Sequence, residues 1–252
     1  MTMEYSLHYF RNDLYGAWAI AKKDLVIYYL KPNIYMSGLL FPVFMLLAFA
    51  VGKSAPLATL IPGLIAITSL FSASSIEPVA IPIERRTKTF DRLLSAPVSL
   101  FALVLGESLS GLLFSGSICL MLVIGAAILL GTSVTSLPVL LSAIALSCFT
   151  FAAMGAVFSA YPTENVGEVM SLLNLVRLPL IFISGVFIPL ETMPPWGQAV
   201  ARCSPLTYGN DLIQHGFGGP THFGIAVDVV LLLVFSALFL ALGYFLYRKF
   251  NE

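Results

Sequence analysis

Residues 182–196 have the sequence FISGVFIPLETMPPW, and the chain continues to SPLTY at residues 204–208. The stretch begins as an apolar helix, is interrupted at Pro189 and stays only mildly polar to its end. Loops of soluble proteins are rarely this apolar. Irregular backbone survives at membrane depth only where protein or water shields it. The stretch therefore predicts a membrane helix, the fifth along the chain, that ends in a re-entrant or interfacial hairpin.

The composition places the whole chain in a membrane. Apolar residues make up 58% of the 252 residues and charged residues 10%, whereas soluble domains have about 45–50% and about 25%. The formal net charge is zero, and no basic tract with interleaved aromatic residues indicates a nucleic-acid partner. The composition predicts an integral membrane protein whose surroundings are lipid.

Six apolar stretches are long enough to cross a bilayer, which takes about 20 helical residues. They lie at residues 34–51, 57–76, 101–130, 137–160, 172–190 and 225–247. No internal repeat or low-complexity linker divides the chain, and the first 33 residues lack the pattern of a signal peptide. The sequence predicts an all-α integral membrane protein with six transmembrane helices, forming a single transmembrane domain over residues 1–252.

Lysine and arginine residues predict the orientation, because cytoplasmic loops carry an excess of them. Ten lie on one predicted side: Arg11, Lys22, Lys23, Lys31, Arg85, Arg86, Lys88, Arg92, Arg248 and Lys249. The other side has only Lys53 and Arg202. Both termini are therefore expected in the cytoplasm of a multi-pass plasma-membrane protein, and the outer hairpin and loop at residues 190–223 face outward.

The first 33 residues are expected to form a cytoplasmic or interfacial amphipathic helix, an elbow before the first span. The aromatic and apolar side chains suited to the interface are Trp18, Leu25, Tyr28 and Tyr29. Lys22 and Lys23 are expected to reach anionic headgroups, and Pro32 ends the helix. The alternative is an ordinary solvated helix that carries a pair of charges.

The second predicted cytoplasmic loop, residues 83–99, combines charge with an apolar face. Phe90, Leu93 and Leu94 recur at helical spacing, and Glu84 and Lys88 have the spacing of a favourable ion pair on one helix. The pattern predicts a short protruding helix over residues 84–96 that docks a soluble partner. The alternative is a solvated loop that only sets the topology.

Three charges fall within predicted spans or at their ends: Glu77, Glu107 and Arg177. A charge inside a span costs about 2.5–3.5 kcal/mol on insertion scales and usually faces protein or water. Arg177 either pairs with Glu107 or Glu77 in the interior or reaches the interface from a helix end.

The cysteines and histidines give weaker signals. Three cysteines without CxxC spacing predict neither a disulfide framework nor a metal site. The small residues Cys148, Ala152, Ala156 and Ala160 recur every four positions, which predicts close helix packing. His215 and His222 are expected to be surface residues of a glycine-rich loop, although an external pair of histidines is also compatible with haem or metal binding.

The sequence Gly52-Lys53-Ser54 imitates the end of a phosphate-binding loop, but the glycine required at position 47 is replaced by Leu47. A phosphate-binding loop also lies between a strand and a helix, which a predicted membrane helix cannot provide. The chain is therefore not expected to hydrolyse ATP or to bind a cofactor or metal.

The order of these features resembles the type-2 ABC exporter permeases, a family that moves drugs, polysaccharides and lipid-linked glycans. The resemblance covers the elbow helix, the charged loop and the broken fifth helix with its hairpin. It implies a permease that pairs with itself or a similar subunit and with two copies of a separate ATPase, which would bind the ATP and Mg²⁺. Whether the substrate is a drug, a lipid-linked sugar, a peptide or a lipid stays open.

The resemblance also assigns roles to residues. The ATPase-coupling residues would be Glu84, Arg85, Arg86, Lys88, Phe90, Arg92, Leu93 and Leu94. The exit hairpin would include Gly185, Pro189, Pro194, Pro195, Trp196 and Tyr208. Two other functions remain open: a cofactor- or haem-handling membrane assembly component that uses the outer histidines, and an ion-coupled secondary transporter that uses the three intramembrane charges.

Overall fold

The computed structural model describes residues 2–29, 40, 42–45 and 60–251, and the regular structure in these residues is helical. The helices are α1 (Thr2–Asp24), α2 (Ile61–Ser74), α3 (Ile76–Arg86), α4 (Thr89–Leu94), α5 (Leu100–Leu130), α6 (Leu137–Ser159), α7 (Val166–Ile183), α8 (Pro195–Ala201), α9 (Pro205–Gly216) and α10 (Ile225–Asn251). A π-helical turn, Leu25–Tyr29, extends α1, and a 3-10 turn, Leu190–Thr192, precedes α8. The predicted all-α fold is confirmed for the described residues.

Five segments of the described residues are long and apolar enough to cross a membrane. They are Ile61–Arg86, Leu100–Leu130, Leu137–Ser159, Val166–Ile183 and Ile225–Phe250. The first of them joins α2 and α3 through Ser75. The predicted span at residues 34–51 lies outside the described residues except at positions 40 and 42–45, so the count of six spans stays a prediction. Lys31, Pro32 and Lys53 also lie outside them.

The predicted boundaries hold where polar residues flank a long apolar run. At the start of α5, the hydroxyl of Ser99 accepts a hydrogen bond from the Ala102 N–H at 3.0 Å. At its end, Gly131 follows the last helical residue and has a φ of 63°. Such a side-chain cap and a left-handed glycine are common helix start and stop signals. The predicted bounds at 101–130 and 137–160 are therefore confirmed as those of the helices α5 and α6, each of which is long and apolar enough to cross a membrane.

Two predicted spans have different limits in the structure. The second does not stop at residue 76 but continues as α3 to Arg86, because the residues up to Ile83 are mostly apolar and Ala80 and Ile81 are buried in the protein. The fifth starts at Val166 instead of residue 172 and ends at Ile183, before the predicted break at Pro189. Its start is capped by Asn165, whose side-chain oxygen accepts the Gly167 N–H at 2.9 Å.

α6 is the helix around which the others pack, since it contacts α2, α3, α5, α7, α9 and α10. The small residues Cys148, Ala152 and Ala156 of α6, and Ala160 directly after it, are all fully buried. A Cβ atom added to Gly111 of α5 would lie 2.5 Å from the Cβ of Ala152, so the two helices approach closely there. The predicted packing role of the stripe is confirmed.

Candidate coupling segment and outer hairpin

The coupling segment, residues 83–99, is a pair of helices joined by a tight turn. The prediction of one helix over residues 84–96 is wrong, because α3 ends at Arg86 and Lys88 adopts a φ of 60°. This left-handed conformation costs a non-glycine residue about 1–2 kcal/mol. α4 starts directly after it, so the chain reverses at Thr87 and Lys88 and these residues form the tip of the segment.

The predicted ion pair between Glu84 and Lys88 is also wrong, because the turn separates the two side chains. Glu84 accepts a hydrogen bond from the Lys23 ammonium at 2.6 Å. The Lys88 ammonium lies 3.6 Å from a carboxylate oxygen of Glu164, and both side chains are exposed. An exposed pair of this kind contributes about 0–1 kcal/mol, so Lys88 stays available to a partner.

The apolar face of the coupling segment is directed into the subunit. Phe90 is 1% exposed, its ring centroid lies 6.3 Å from that of Tyr247, and the Arg85 guanidinium lies 4.5 Å above the ring. Leu93 and Leu94 are partly buried against the same cluster. Phe90 therefore anchors the segment to the membrane domain and cannot itself touch a docked protein.

The surface that the coupling segment presents to solvent is charged. Arg86, Lys88 and Arg92 are exposed, and Asp91 lies beside them on α4. Three cations around one short turn form a positive tip, which suits a partner with a negative surface. The predicted coupling residues thus divide into an exposed cationic group and a buried group that holds the segment in place.

Helix α1 is tied to the coupling segment by an ionic cluster that the sequence did not predict. The Lys23 ammonium lies 3.0 Å from Asp24 and 2.6 Å from Glu84, and the Tyr28 hydroxyl donates to Glu84 at 3.4 Å. Lys23 was expected to reach lipid headgroups, but its side chain is engaged within the protein. Lys22 is exposed.

The surroundings of Lys23 and Asp24 in this cluster change their pKa values. Burial disfavours the Lys23 ammonium, but the carboxylates of Asp24 and Glu84 outweigh burial and raise the pKa of Lys23 above its usual value. Burial raises the pKa of Asp24 to about 6, and the attraction of Lys23 opposes this shift only in part. At neutral pH the lysine is charged, and it ties α1 to α3.

Arg177 of α7 is fully buried, so it does not reach the interface from a helix end. Its guanidinium donates to the hydroxyls of Ser74 and Ser75, each at 2.9 Å, and lies 5.3 Å from the centre of the Phe71 ring. Asn174 accepts a further, longer bond at 3.4 Å. The principal partners of Arg177 are therefore two hydroxyl groups at the junction of α2 and α3.

The two glutamates of the predicted spans, Glu77 and Glu107, occupy separate positions. Glu107 is 2% exposed and accepts a hydrogen bond from the Tyr247 hydroxyl at 3.1 Å, so the predicted pairing with Arg177 is wrong for this residue. Glu77 is 1% exposed and interacts electrostatically with Arg177, although no hydrogen bond joins them. The absence of a side chain at Gly155 of α6 makes room for Glu77, since a Cβ atom added to Gly155 would lie 2.8 Å from a carboxylate oxygen of Glu77.

The outer hairpin begins with a glycine and not with a proline. α7 ends at Ile183, and Gly185 adopts a φ of 82°. A Cβ atom at this position would lie 2.9 Å from Cγ of Leu190. The missing side chain of Gly185 makes room for Leu190 of the same chain.

The prolines of the hairpin mark the starts of its short helices. Pro189 precedes the 3-10 turn, while Pro194 and Pro195 stand at the start of α8. Proline suits this place because the first helical N–H groups have no intrahelical acceptor. Trp196 on α8 is 72% exposed, as expected of an aromatic residue at a membrane interface. Whether the hairpin re-enters the membrane stays a prediction.

The second helix of the hairpin, α9, is a buried element. Residues 205–213 are buried, and α9 packs against α2, α6 and α10. Tyr208 is 4% exposed, and its hydroxyl donates to the Arg202 carbonyl oxygen at 2.6 Å. The hairpin is thus fixed to the transmembrane helices along its second half, while α8 remains at the surface.

The two outer histidines each have a partner within the chain. A ring nitrogen of His215 lies 3.1 Å from the carbonyl oxygen of Gly219, and His222 Nε2 lies 3.3 Å from Glu191. In the described residues, no group of three histidine, cysteine or acidic side chains is arranged to hold a metal ion. Cys119 and Cys148 are buried free thiols, and Cys203 is an exposed one.

Sequence reasoning missed two residues that organise these regions. Tyr247 joins the coupling segment to α5 by packing on Phe90 and donating to Glu107. Asp211 of α9 accepts the backbone N–H groups of His222 and Phe223 through its carboxylate. Neither shows a local pattern, since each acts on residues that are distant along the chain.

Comparison with known proteins assigns the chain to a family. The family described as "ABC-2 type transporter" matches residues 15–217. This match begins within α1 and ends just after α9, so it contains both the coupling segment and the outer hairpin.

Three relatives illustrate the range of similarity. The daunorubicin resistance ABC transporter permease protein DrrB1 of Streptomyces coeruleorubidus is 36% identical over 104 residues, which cover 40% of this chain and 34% of that protein. Nodulation protein J of Rhizobium leguminosarum bv. trifolii is 29% identical over 203 residues, covering 79% and 76%. The putative transport permease ycf38 of Porphyra purpurea is 40% identical over 48 residues, covering 19% and 16%.

Proposed function

This chain belongs to the ABC-2 type transporter family, and from that membership we propose that it is the membrane-spanning permease subunit of an ATP-driven exporter. In the proposed complex it pairs with itself or with a similar permease. Two copies of a separate ATPase subunit bind ATP and Mg²⁺ and hydrolyse the nucleotide. The cargo is a drug, lipid or glycan-type molecule, and the relative named for daunorubicin resistance supports the drug-type cargo.

We place the protein in the plasma membrane. In the proposed orientation, both termini and the coupling segment lie in the cytoplasm. The whole chain is then one permease domain, with α1 as the interfacial elbow and the outer hairpin on the far side. The exposed cations of the coupling segment support this orientation, because positive residues favour the cytoplasmic side.

The observation that carries the proposal is the positive tip on a helix that is continuous with a membrane span. Arg86, Lys88 and Arg92 are exposed at the tip, while Phe90 is buried and holds α4 against the membrane domain. A protein that pushes on such a tip moves α3 as a lever. The tip is therefore well suited to transmit the movement of a docked ATPase.

The contacts of α3 offer a route from the coupling segment to the outer hairpin. α3 is joined to α2 at Ser75, where Pro78 has no N–H for the carbonyl oxygen of Ser74 and so interrupts the helical ladder. Arg177 binds the two serines at this junction. Since Arg177 lies on α7, and α7 leads into the hairpin, a shift of α3 would move the outer end of the proposed exit path.

Substitution of Arg92 tests the proposed dock. Arg92→Glu reverses an exposed charge and leaves the buried anchors intact, so the permease should insert normally but hold at least tenfold less ATPase. The measurement is vanadate-sensitive ATP hydrolysis that co-purifies with the tagged permease. Arg11→Glu, an exposed charge reversal on α1, serves as the control and should keep the hydrolysis.

Two results would contradict this function. If no ATPase co-purified with the wild-type protein under mild conditions, the proposed ATP-driven export would have no energy source, and this result would contradict the proposed function. If Arg92→Glu kept full hydrolysis and full transport, the coupling segment would be only a topogenic loop. Phe90→Asp is not a useful variant here, because a buried carboxylate in place of the ring would disrupt folding.

A further inference from the structure

A polar cavity of about 290 Å³ lies between the outer hairpin and the loop that leads into α10. Six side chains line it: Leu190, Glu191, Gln198, Arg202, His222 and Phe223. They come from the 3-10 turn, from α8 and its C-terminal end, and from the loop before α10. No role in coupling or in membrane packing accounts for this collection of polar groups.

The walls of the cavity are held in place by buried side chains behind them. Tyr208 joins two walls, since its hydroxyl donates to the Arg202 carbonyl at 2.6 Å and its ring centroid lies 5.2 Å from that of Phe223. Asp211, which is 3% exposed, accepts the His222 N–H at 2.9 Å and the Phe223 N–H at 3.1 Å.

The amide of Gln198 is oriented as well. Its Nε2 atom donates one hydrogen bond to the Met193 carbonyl oxygen at 3.1 Å. A glutamine amide carries a second N–H, which remains for a ligand. The cavity is therefore preformed, so a ligand would bind without first having to order its walls.

The charges of the cavity favour an anion over a cation. His222 Nε2 lies 3.3 Å from a Glu191 carboxylate oxygen, so these two groups are directed at each other. Within the described residues, no carboxylate lies at ion-pair distance from the guanidinium of Arg202. Arginine is always protonated and presents a planar set of donors that matches phosphate and carboxylate groups.

We propose that this cavity binds the phosphate or carboxylate group of an amphiphilic anion. Arg202 and Gln198 donate to the anionic group, and Leu190 and Phe223 contact the apolar part of the ligand next to it. Trp196, which is 72% exposed on the same short helix as Gln198, marks the depth of the membrane interface, where amphiphiles concentrate. The proposal does not depend on ATP-driven export, because it concerns binding alone.

Tryptophan fluorescence offers a direct binding test. The chain has two tryptophans, so a Trp18→Phe background leaves Trp196 as the reporter beside the cavity. The full-length protein in phosphatidylcholine nanodiscs is titrated with hexyl phosphate, inorganic phosphate and hexyltrimethylammonium. Hexyl phosphate should give a saturable change at lower concentration than inorganic phosphate, and the cation should give none.

Two substitutions with opposite expected effects identify the site. Arg202→Gln should weaken hexyl phosphate binding at least tenfold, and Arg202→Lys should keep part of it. Glu191→Gln should strengthen binding several-fold, because it removes the one carboxylate that lines the cavity. Arg11→Gln, far along the chain on α1, should have no effect. Unchanged thermal unfolding midpoints would establish that these surface variants fold normally.

The same titrations contain the results that would overturn the proposal. Equal affinity for inorganic phosphate and hexyl phosphate would mean that the apolar part of the ligand contributes nothing. The cavity would then be a simple anion site and not a site for an amphiphile. Saturable binding of the alkylammonium probe, weakened by Glu191→Gln, would make the cavity a cation site. Full hexyl phosphate binding by Arg202→Gln would show that the anion binds elsewhere.

Discussion

At the scale of single residues, Gly185 shows what a sequence pattern leaves undecided. The segment 182–196 has three prolines that attract attention as breakers, but α7 has already ended at Ile183 when the first of them is reached. The left-handed φ of Gly185 makes this early end possible, since only glycine adopts it without strain. Its position is also the one where Leu190 folds back against the chain.

Gly185→Ala should therefore destabilise the protein by more than the usual cost of one added methyl group. The left-handed backbone costs alanine about 1–2 kcal/mol, and the new Cβ would lie 2.9 Å from Cγ of Leu190. The measurement is the free energy of unfolding in detergent, or the thermal midpoint as a proxy. Gly116→Ala is the control, because it lies in α5 with no atom within 4 Å of the added Cβ.

Gly116→Ala should be neutral or slightly stabilising, since alanine is favoured over glycine inside a helix by about 1 kcal/mol. Equal midpoints for the two variants would mean that the turn at Gly185 readjusts without cost. In that case, the glycine would not be what ends α7.

At the scale of elements, the sequence predicts best where one apolar run corresponds to one helix. α5 and α6 were predicted within about one residue at each end, because polar or glycine residues flank each run. The limits of α3 and the turn at Lys88 could not be predicted, since a charged stretch is equally compatible with a continued helix. The partners of Lys23 and Arg177 could not be predicted completely either, because most of them lie on other helices.

The junction of α7 with α2 and α3 allows a test of how one buried arginine joins helices. Arg177→Gln removes the guanidinium from Ser74 and Ser75 and should lower stability by several times the effect of Ser75→Ala. A hydrogen bond to a charged group contributes about 1.5–3 kcal/mol, and Ser75→Ala removes one of the two 2.9 Å bonds. Arg177→Lys should fall between them, because an ammonium cannot hold both hydroxyls with the same planar geometry.

The readout is the thermal unfolding midpoint of the three purified variants. The expected order is wild type, Ser75→Ala, Arg177→Lys and Arg177→Gln, from most to least stable. A Gln variant as stable as the wild type would show that the guanidinium does not hold the helices together. Its burial would then require another explanation.

At the scale of the whole molecule, contacts between segments that are distant along the chain define two opposite ends. At one end Lys23 meets Glu84 and Lys88 meets Glu164. At the other end the backbone N–H of Thr135 donates to the Gly216 carbonyl at 3.0 Å, which joins the turn before α6 to the end of the outer hairpin. The first end carries most of the exposed cations, so we predict that it faces the cytoplasm.

Cysteine labelling in intact cells should establish which end faces outward. Cys203 is exposed beside Arg202, whereas Cys119 and Cys148 are buried, so a membrane-impermeant maleimide should modify the wild-type chain at Cys203 alone. A Ser95→Cys variant in a Cys203→Ser background places the only accessible thiol on the exposed end of α4. This variant should stay unlabelled until the cells are permeabilised. The opposite result would be labelling of residue 95 in intact cells, together with no labelling of Cys203 in the wild-type chain. It would mean that the orientation is inverted and that no cytoplasmic ATPase can reach the positive tip.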